Sequence, residues 1–313
     1  MATSGSIDLT ASRDDIIQEA LELLGVLPEG ESPNSNQLTS AARTLNYMMK
    51  AWQADGLNLF AVQQVYLFLQ EAQSSYSLIS STTDHYTATF TETTTSATSA
   101  SGASTLTVTS ITGISASDKI GVYQDDGSVH WTTVNGAPSG STVTLTAVLT
   151  DDVSSGAVVY AYTSKANRPM RITEAVLHNF DSGNDTSLTN GSRDEYFNQS
   201  TKTSDGAVNL VYYDPQVAAP KLFVWPQADD ERDYLKLYIQ RTLEDVDAAA
   251  NTVDFPQEWF MALAYNLAMV LGPKHGKPVT AMSTIASIAE REYQRVKAFD
   301  SELVSVYFGP RNG

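Results

Sequence analysis

Residues 35–60, SNQLTSAARTLNYMMKAWQADGLNLF, constrain the fold more than any other stretch of the chain. Ala41, Leu45, Met48, Met49 and Trp52 fall mostly three or four residues apart, so a helix gathers them on one face. The pattern predicts that the helix stops at Asp55-Gly56, where glycine can take a left-handed cap, and that an extended apolar run follows. Upstream, SRDDIIQEALELLGV repeats the pattern, with Ser12 as N-cap, acids in the first turn and Gly25 as the stop. Two amphipathic helices in succession make a hairpin whose apolar faces need a further surface to cover them.

The rest of the chain is large enough to supply that surface. At 313 residues it has room for a core plus an insertion, and 42% hydrophobic with only 18% charged residues argues against wholesale disorder. The net charge of −17 and a pI near 4.5 offer no cluster of Lys and Arg to grip phosphates. An acidic surface of this kind serves solubility; if it lined a channel, it would repel DNA and let it slide. Cysteine is absent, which removes disulfides, thiol nucleophiles and thiolate metal sites. The first residues, MATSGSIDLTASRDD, lack the basic and apolar regions of a secretory signal, and no run approaches the roughly 18 apolar residues of a membrane span. Synthesis in a cytoplasm without membrane insertion is the expectation, and the N-x-S/T triplets at Asn184, Asn190 and Asn198 then read as chance polar loops.

Composition divides the chain into blocks. Residues 1–80 hold the hairpin and first strands, FAVQQVYLFLQ and SYSLIS. Residues 81–165 are different: Ser and Thr exceed half of 81–110, and Lys119 is the only Lys or Arg from 81 to 164. Short runs such as STLTVTSI, KIGVYQD, VHWTTV, TVTLTAVL and AVVYAYT alternate there with turns at Asp126-Gly127, Asn135-Gly136 and Ser139-Gly140, which predicts a small all-β sandwich or barrel. TETTTSATSASGA alone reads as an exposed loop or linker. From 166 to 303 the pattern is mixed. SRDEYFNQ has capping-box spacing between Ser192 and Glu195, and GAVNLVYYDP, KLFVWPQ and YLKLYIQRTL read as consecutive strands, the last with Leu235, Leu237 and Ile239 on one side. PQEWFMALAYNLAMVLG, opening at Pro256 and ending at Gly272, is apolar nearly all round and should be deeply buried. TAMSTIASIAEREYQRVKAFD carries Met282, Ile285, Ala289, Tyr293 and Val296 on one stripe. The expected fold is α+β: a helical bundle core from the N- and C-terminal helices, a β-rich side and an inserted small all-β domain. A C-terminal extension occupies 304–313.

The hairpin with its AWQADGL terminus, then YYDP, a strand ending in WP, a long strand and FPQEWFMALAYNLAMVLGPKHG, closely resembles the head-to-tail adaptors of short-tailed bacteriophages. These are also called packaged-DNA stabilisation proteins, head completion proteins or tail tubular proteins A. The likeness covers roughly residues 10–80 and 166–308, and the 81–165 insertion departs from the smaller members. It implies a structural virion protein of the phage neck, not an enzyme, that self-associates as a twelvefold ring below the portal protein. Such a ring extends the DNA channel, retains packaged DNA without specific binding, and receives a downstream tail tube or nozzle protein, with a tail fibre or spike as a further partner.

Catalytic chemistry is not signalled. His85, His130, His178 and His275 are scattered without metal-ligand spacing, and GPKHGKP is too short for a phosphate loop and reads as a helix stop with a turn. DDERD (229–233) and EDVD (244–247) lack the glycine and distal glutamate of a calcium loop and read as solvated turns. No nucleophile elbow or dinucleotide fingerprint is present, so no catalytic, cofactor or metal residue is assigned. Trp52, Trp225 and Trp259 read as core. Trp131 is either core or a sugar-stacking platform, and with Tyr123 it motivates the alternative of a carbohydrate-binding or adhesin-like virion protein acting through the β insertion. The candidate contact site is the terminal segment: Val304, Val306 and Phe308 alternate in β fashion after the last helix, so Leu303, Val304, Val306, Tyr307, Phe308 and Arg311 are expected to dock on the portal or a neighbouring subunit.

Overall fold

The computed structural model describes residues 5, 7, 9–56 and 59–300. The segment from Leu303 to Arg311, which holds the expected contact residues, lies outside the described residues. The chain divides into two compact units, Met1–Ala61 with Thr242–Gly313, and Val62–Arg241. Helix makes up 27% and strand 28%, the strands forming four sheets, so the fold is mixed α+β with neither element dominant. Among the described residues the α-helices are α1 (Arg13–Leu23), α2 (Ser35–Ala54), α3 (Arg193–Phe197), α4 (Phe260–Leu271) and α5 (Ser283–Phe299).

In the unit made from both chain ends, capping boxes start the first two helices. Ser12 Oγ accepts the Asp15 N–H while Asp15 accepts the Ser12 N–H at 2.9 Å, and Asn34 with Gln37 repeats the arrangement for α2. Gly25 takes φ +59 after α1, as expected. Gly56 does not take the left-handed cap: α2 ends in right-handed geometry at Asp55, whose N–H is held by the Trp52 carbonyl. Helix α4 packs against α1, α2 and α5, and Ile17, Leu21, Leu45, Met49, Leu263 and Leu267 bury together between them. The deep burial expected of α4 is reached on one side only: Met261 and Val270 remain 45% and 48% exposed. The buried residues Ala262, Leu263, Ala264, Leu267, Ala268 and Leu271 do not take up the whole circumference, so the even hydrophobicity of α4 exceeds what its neighbours cover.

Two further segments of this unit are instructive. After α4 a 3₁₀ turn, Gly272–His275, ends at left-handed Gly276, so GPKHGKP is a helix stop and turn. EDVD is not a free solvated turn. The Asn46 side chain pairs with both backbone groups of Val246, at 3.2 and 3.0 Å, and Lys50 reaches the Leu243 carbonyl and Asp245, which fastens the stretch to α2. Leu45 is fully buried at the centre of this packing, and Leu45→Ala should cost about 2–5 kcal/mol of stability, read as a lowered urea midpoint with unchanged m-value.

The second unit is continuous. Its first strands are β1 (Val62–Phe68), β2 (Ser75–Ser77) and β3 (Tyr86–Thr87). A middle run follows: β4 (Thr91–Thr94), β5 (Thr105–Thr107), β6 (Lys119–Tyr123), β7 (Val129–Thr133), β8 (Thr142–Thr144) and β9 (Val158–Tyr162). The last run is β10 (Pro169–His178), β11 (Asp185–Ser187), β12 (Thr189–Asn190), β13 (Leu210–Asp214), β14 (Lys221–Trp225) and β15 (Tyr234–Arg241). First and last runs interleave as a five-stranded sheet, β11-β10-β15-β1-β3, and a four-stranded sheet, β12-β13-β14-β2. Val65, Leu67, Leu235, Leu237 and Ile239 of the former share one buried cluster with Tyr76, Val211, Leu222 and Val224 of the latter. The three strands read as consecutive thus divide: β13 pairs with β14, while β15 lies between β10 and β1.

The middle run forms the sheet β4-β9-β6-β7 and the ribbon β5-β8. Bridges Thr95–Val108 and Val134–Leu145 join the ribbon to both edges of the sheet, so these six strands close on themselves around Leu106, Val108, Ile120, Val122, Val143 and Val159. TETT is therefore a strand and not a linker. It pairs with β9 over Thr91–Thr94, and hydroxyls do the work that apolar side chains do elsewhere: Thr95 Oγ1 donates to the Ser154 carbonyl at 2.7 Å, and Thr94 and Thr109 share a 3.0 Å bond. Threonine's β-branch suits a strand, which a loop reading based on polarity overlooks.

Candidate functional site

Strand β9 is buried at all five positions, because alternate residues serve two different cores. Val159 and Ala161 point into the closed six-strand array, whereas Val158, Tyr160 and Tyr162 join Phe68 and Tyr234 in a separate aromatic cluster. Strand β1 alternates likewise: Val65 and Leu67 face the second sheet, and Tyr66 and Phe68 face the aromatics. Phe68 lies 4.8 Å from Tyr160, 5.0 Å from Trp131 and 5.2 Å from Phe90, ring centre to ring centre. Trp131 also stacks on His85 at 3.7 Å and covers Gly121 across the β6–β7 pair, so closely that a Cβ there would sit 2.8 Å from the indole. Trp131 is thus a packing residue of this junction, in keeping with the core reading.

His85 is mostly buried and shares a 2.8 Å hydrogen bond with Tyr162 Oη. Burial, helped by the nearby positive charges of Lys165 and Lys119, pushes its pKa down to about 3. The neutral ring is therefore the native form. Unfolding restores an ordinary value near 6.5, so its contribution is complete above that pH and is lost as pH falls from 6.5 toward 3. Wild-type stability should decline more steeply than that of His85→Gln over this window, by up to about 1.4 kcal/mol per pH unit in denaturant titrations; parallel pH profiles would refute this placement of His85.

The DDERD loop braces the same junction instead of standing in solvent. Glu231 accepts the backbone N–H of Glu71 at 2.8 Å and of Val129 at 2.5 Å, linking the β1–β2 connection to β7. Arg232 pairs with Asp230 and Asp181 and lies 5.0 Å from the ring centres of both Tyr123 and Phe180. Asp233 is buried and accepts the Phe180 N–H at 2.8 Å, and its pKa is raised chiefly by that burial. Apart from the Arg232–Asp230 pair, these contacts join positions more than fifty residues apart, and the local acidity of the loop gave no hint of them.

Among the described residues no group of His, Asp and Glu is placed to hold a metal ion, and no helix is long and apolar enough to cross a membrane. His178 binds Asp185 at 2.7 Å beside Lys236, an ion-paired surface cluster on β10, β11 and β15. A shallow groove of about 220 Å³ is lined by Thr98, Ser99, Ala100, Asp125, Asp152 and Val153, but its carboxylates are engaged, Asp125 by Ser154 and Asp152 by the Ser101 N–H. Uncovered apolar surface is the other notable feature. Tyr47, Met261, Val270 and Phe299 are exposed on helices α2, α4 and α5, and Phe197 on α3. When the chain is compared with known proteins, no family model and no curated sequence matches it.

Proposed function

We propose that this chain is a head-to-tail adaptor of a short-tailed bacteriophage: a structural virion protein that forms a ring below the portal, extends the DNA channel, retains packaged DNA and carries the tail. In this reading the helices of the two chain ends are the bundle core of the adaptor, and the 81–165 block is an inserted small all-β domain. The observation that carries it is a helical unit assembled from both termini whose central helix keeps Met261 and Val270 exposed. A ring requires two complementary surfaces on every subunit, and water-exposed apolar side chains on rigid helices are suited to one of them. The ordered motifs described above supply the likeness to the adaptor family. The glycan-binding alternative has less support, since Trp131 is packed on His85 and Tyr123 lies under Arg232.

Mixed with its portal, the purified protein should appear in negative-stain images as a twelvefold ring on one portal face, and portals left bare at saturating protein would refute the reading. Removing residues 304–313 should abolish that joining while leaving the thermal melting curve unchanged. With a net charge of −17, the isolated protein should bind duplex DNA more weakly than about 1 μM at physiological salt, measured by fluorescence anisotropy.

A further inference from the structure

Three side chains from separate stretches meet at one end of the closed six-strand array. Gln124, just after β6, is fully buried, and its Nε2 donates to the Asp151 carbonyl at 3.2 Å. The Thr150 hydroxyl donates to Gln124 Oε1 at 2.6 Å. His130 Nδ1, on β7, lies 3.4 Å from the same hydroxyl, while its Nε2 is buried without a partner. The Ser128 hydroxyl is 3.4 Å from Gln124 Oε1 and 2.8 Å from Asp126 Oδ1. A hydroxyl, a base beside it and an immobilised carbonyl are the parts that acyl transfer requires.

We propose that Thr150 and Gln124 react with each other to form an ester cross-link, with His130 as general base and ammonia as the by-product. The Thr150 hydroxyl first turns its proton from Gln124 Oε1 to His130 Nδ1. Oγ1 then adds to Gln124 Cδ as that proton passes to the ring, and the oxyanion draws the Ser128 hydroxyl proton away from Asp126 Oδ1. The Cδ–Nε2 bond then breaks, and His130 returns the proton to the departing nitrogen, which leaves as ammonia. No oxidant, metal or second substrate enters the balance. Burial lowers the pKa of His130, which keeps the ring neutral and able to accept a proton at neutral pH. The link would staple the β6–β7 hairpin to the stretch leading into β9, where the Asp125 N–H already bonds the Asp152 carbonyl at 2.9 Å.

Mass spectrometry of the full-length protein tests this directly. The intact chain is expected to weigh one ammonia less than its sequence, and tandem spectra are expected to join the peptide bearing Gln124 to the one bearing Thr150. Thr150→Val should restore the full mass, Thr150→Ser should retain the link, and His130→Gln should slow its formation by about a hundredfold. Asn135-Gly136 can also lose ammonia, as a succinimide, so the joined peptide decides the matter. A wild-type chain at full mass, a deficit that maps to Asn135, a joined peptide that survives Thr150→Val, or an undiminished rate in His130→Gln overturns the proposal.

Discussion

Within Val62–Arg241, the alternation of side chains along β1 and β9 holds the layers together. A strand with one wet face carries polar residues on that face. Here β1 sends Val65 and Leu67 one way and Tyr66 and Phe68 the other, and β9 sends Val159 and Ala161 one way and Tyr160 and Tyr162 the other. Each strand therefore belongs to two cores, and the aromatic faces meet around Phe68. Large rings suit such a seam because each buries much area with few rotatable bonds, and edge-on packing adds a modest preference for a defined geometry. The hydroxyls at the rim are then tied down: Tyr160 donates to the Arg232 carbonyl at 2.7 Å, and Tyr162 meets His85.

The parts of this fold that were legible in the sequence are those set by neighbours three or four residues away. Ser12 caps α1 as read, Ser192 and Glu195 form the capping box that their spacing implies, and the stripe Met282, Ile285, Ala289, Tyr293, Val296 turns inward along α5 and the 3₁₀ turn before it. What escaped were features set at long range. TETT has no apolar alternation, yet it is a strand because β9 offers it a backbone ladder. DDERD looks like a solvated turn, yet Glu231 and Asp233 accept N–H groups from Val129 and Phe180, whose nearness no local pattern encodes. Gly56 had the residue type for a left-handed cap, but Asp55 already satisfied the helix end.

The same limit applies to function. Catalytic sites advertise themselves through residue types at fixed spacing, and His85, His130 and His178 are scattered along the chain, hydrogen-bonded to Tyr162, Thr150 and Asp185 respectively, so spacing alone singles out none of them. A protein that works by fitting against others is identified through its surfaces, and surfaces depend on which apolar side chains the fold leaves uncovered. Helix α4 illustrates this: its sequence is almost uniformly hydrophobic, and only the packing of α1, α2 and α5 distinguishes Met261 and Val270 from Leu263 and Leu267. The reading as an adaptor rests on the likeness of its helical ends and on these exposed side chains together.

The closed array of β4 to β9 has a further consequence. An unpaired strand edge is a template on which other chains can polymerise, and the hazard grows with crowding. Because Thr95–Val108 and Val134–Leu145 complete the circuit, these six strands present threonine-coated walls without a sticky margin. Many copies held side by side in a small volume would then slide past one another at this surface instead of seeding fibrils, which lets a segment rich in β-formers remain compatible with dense assembly.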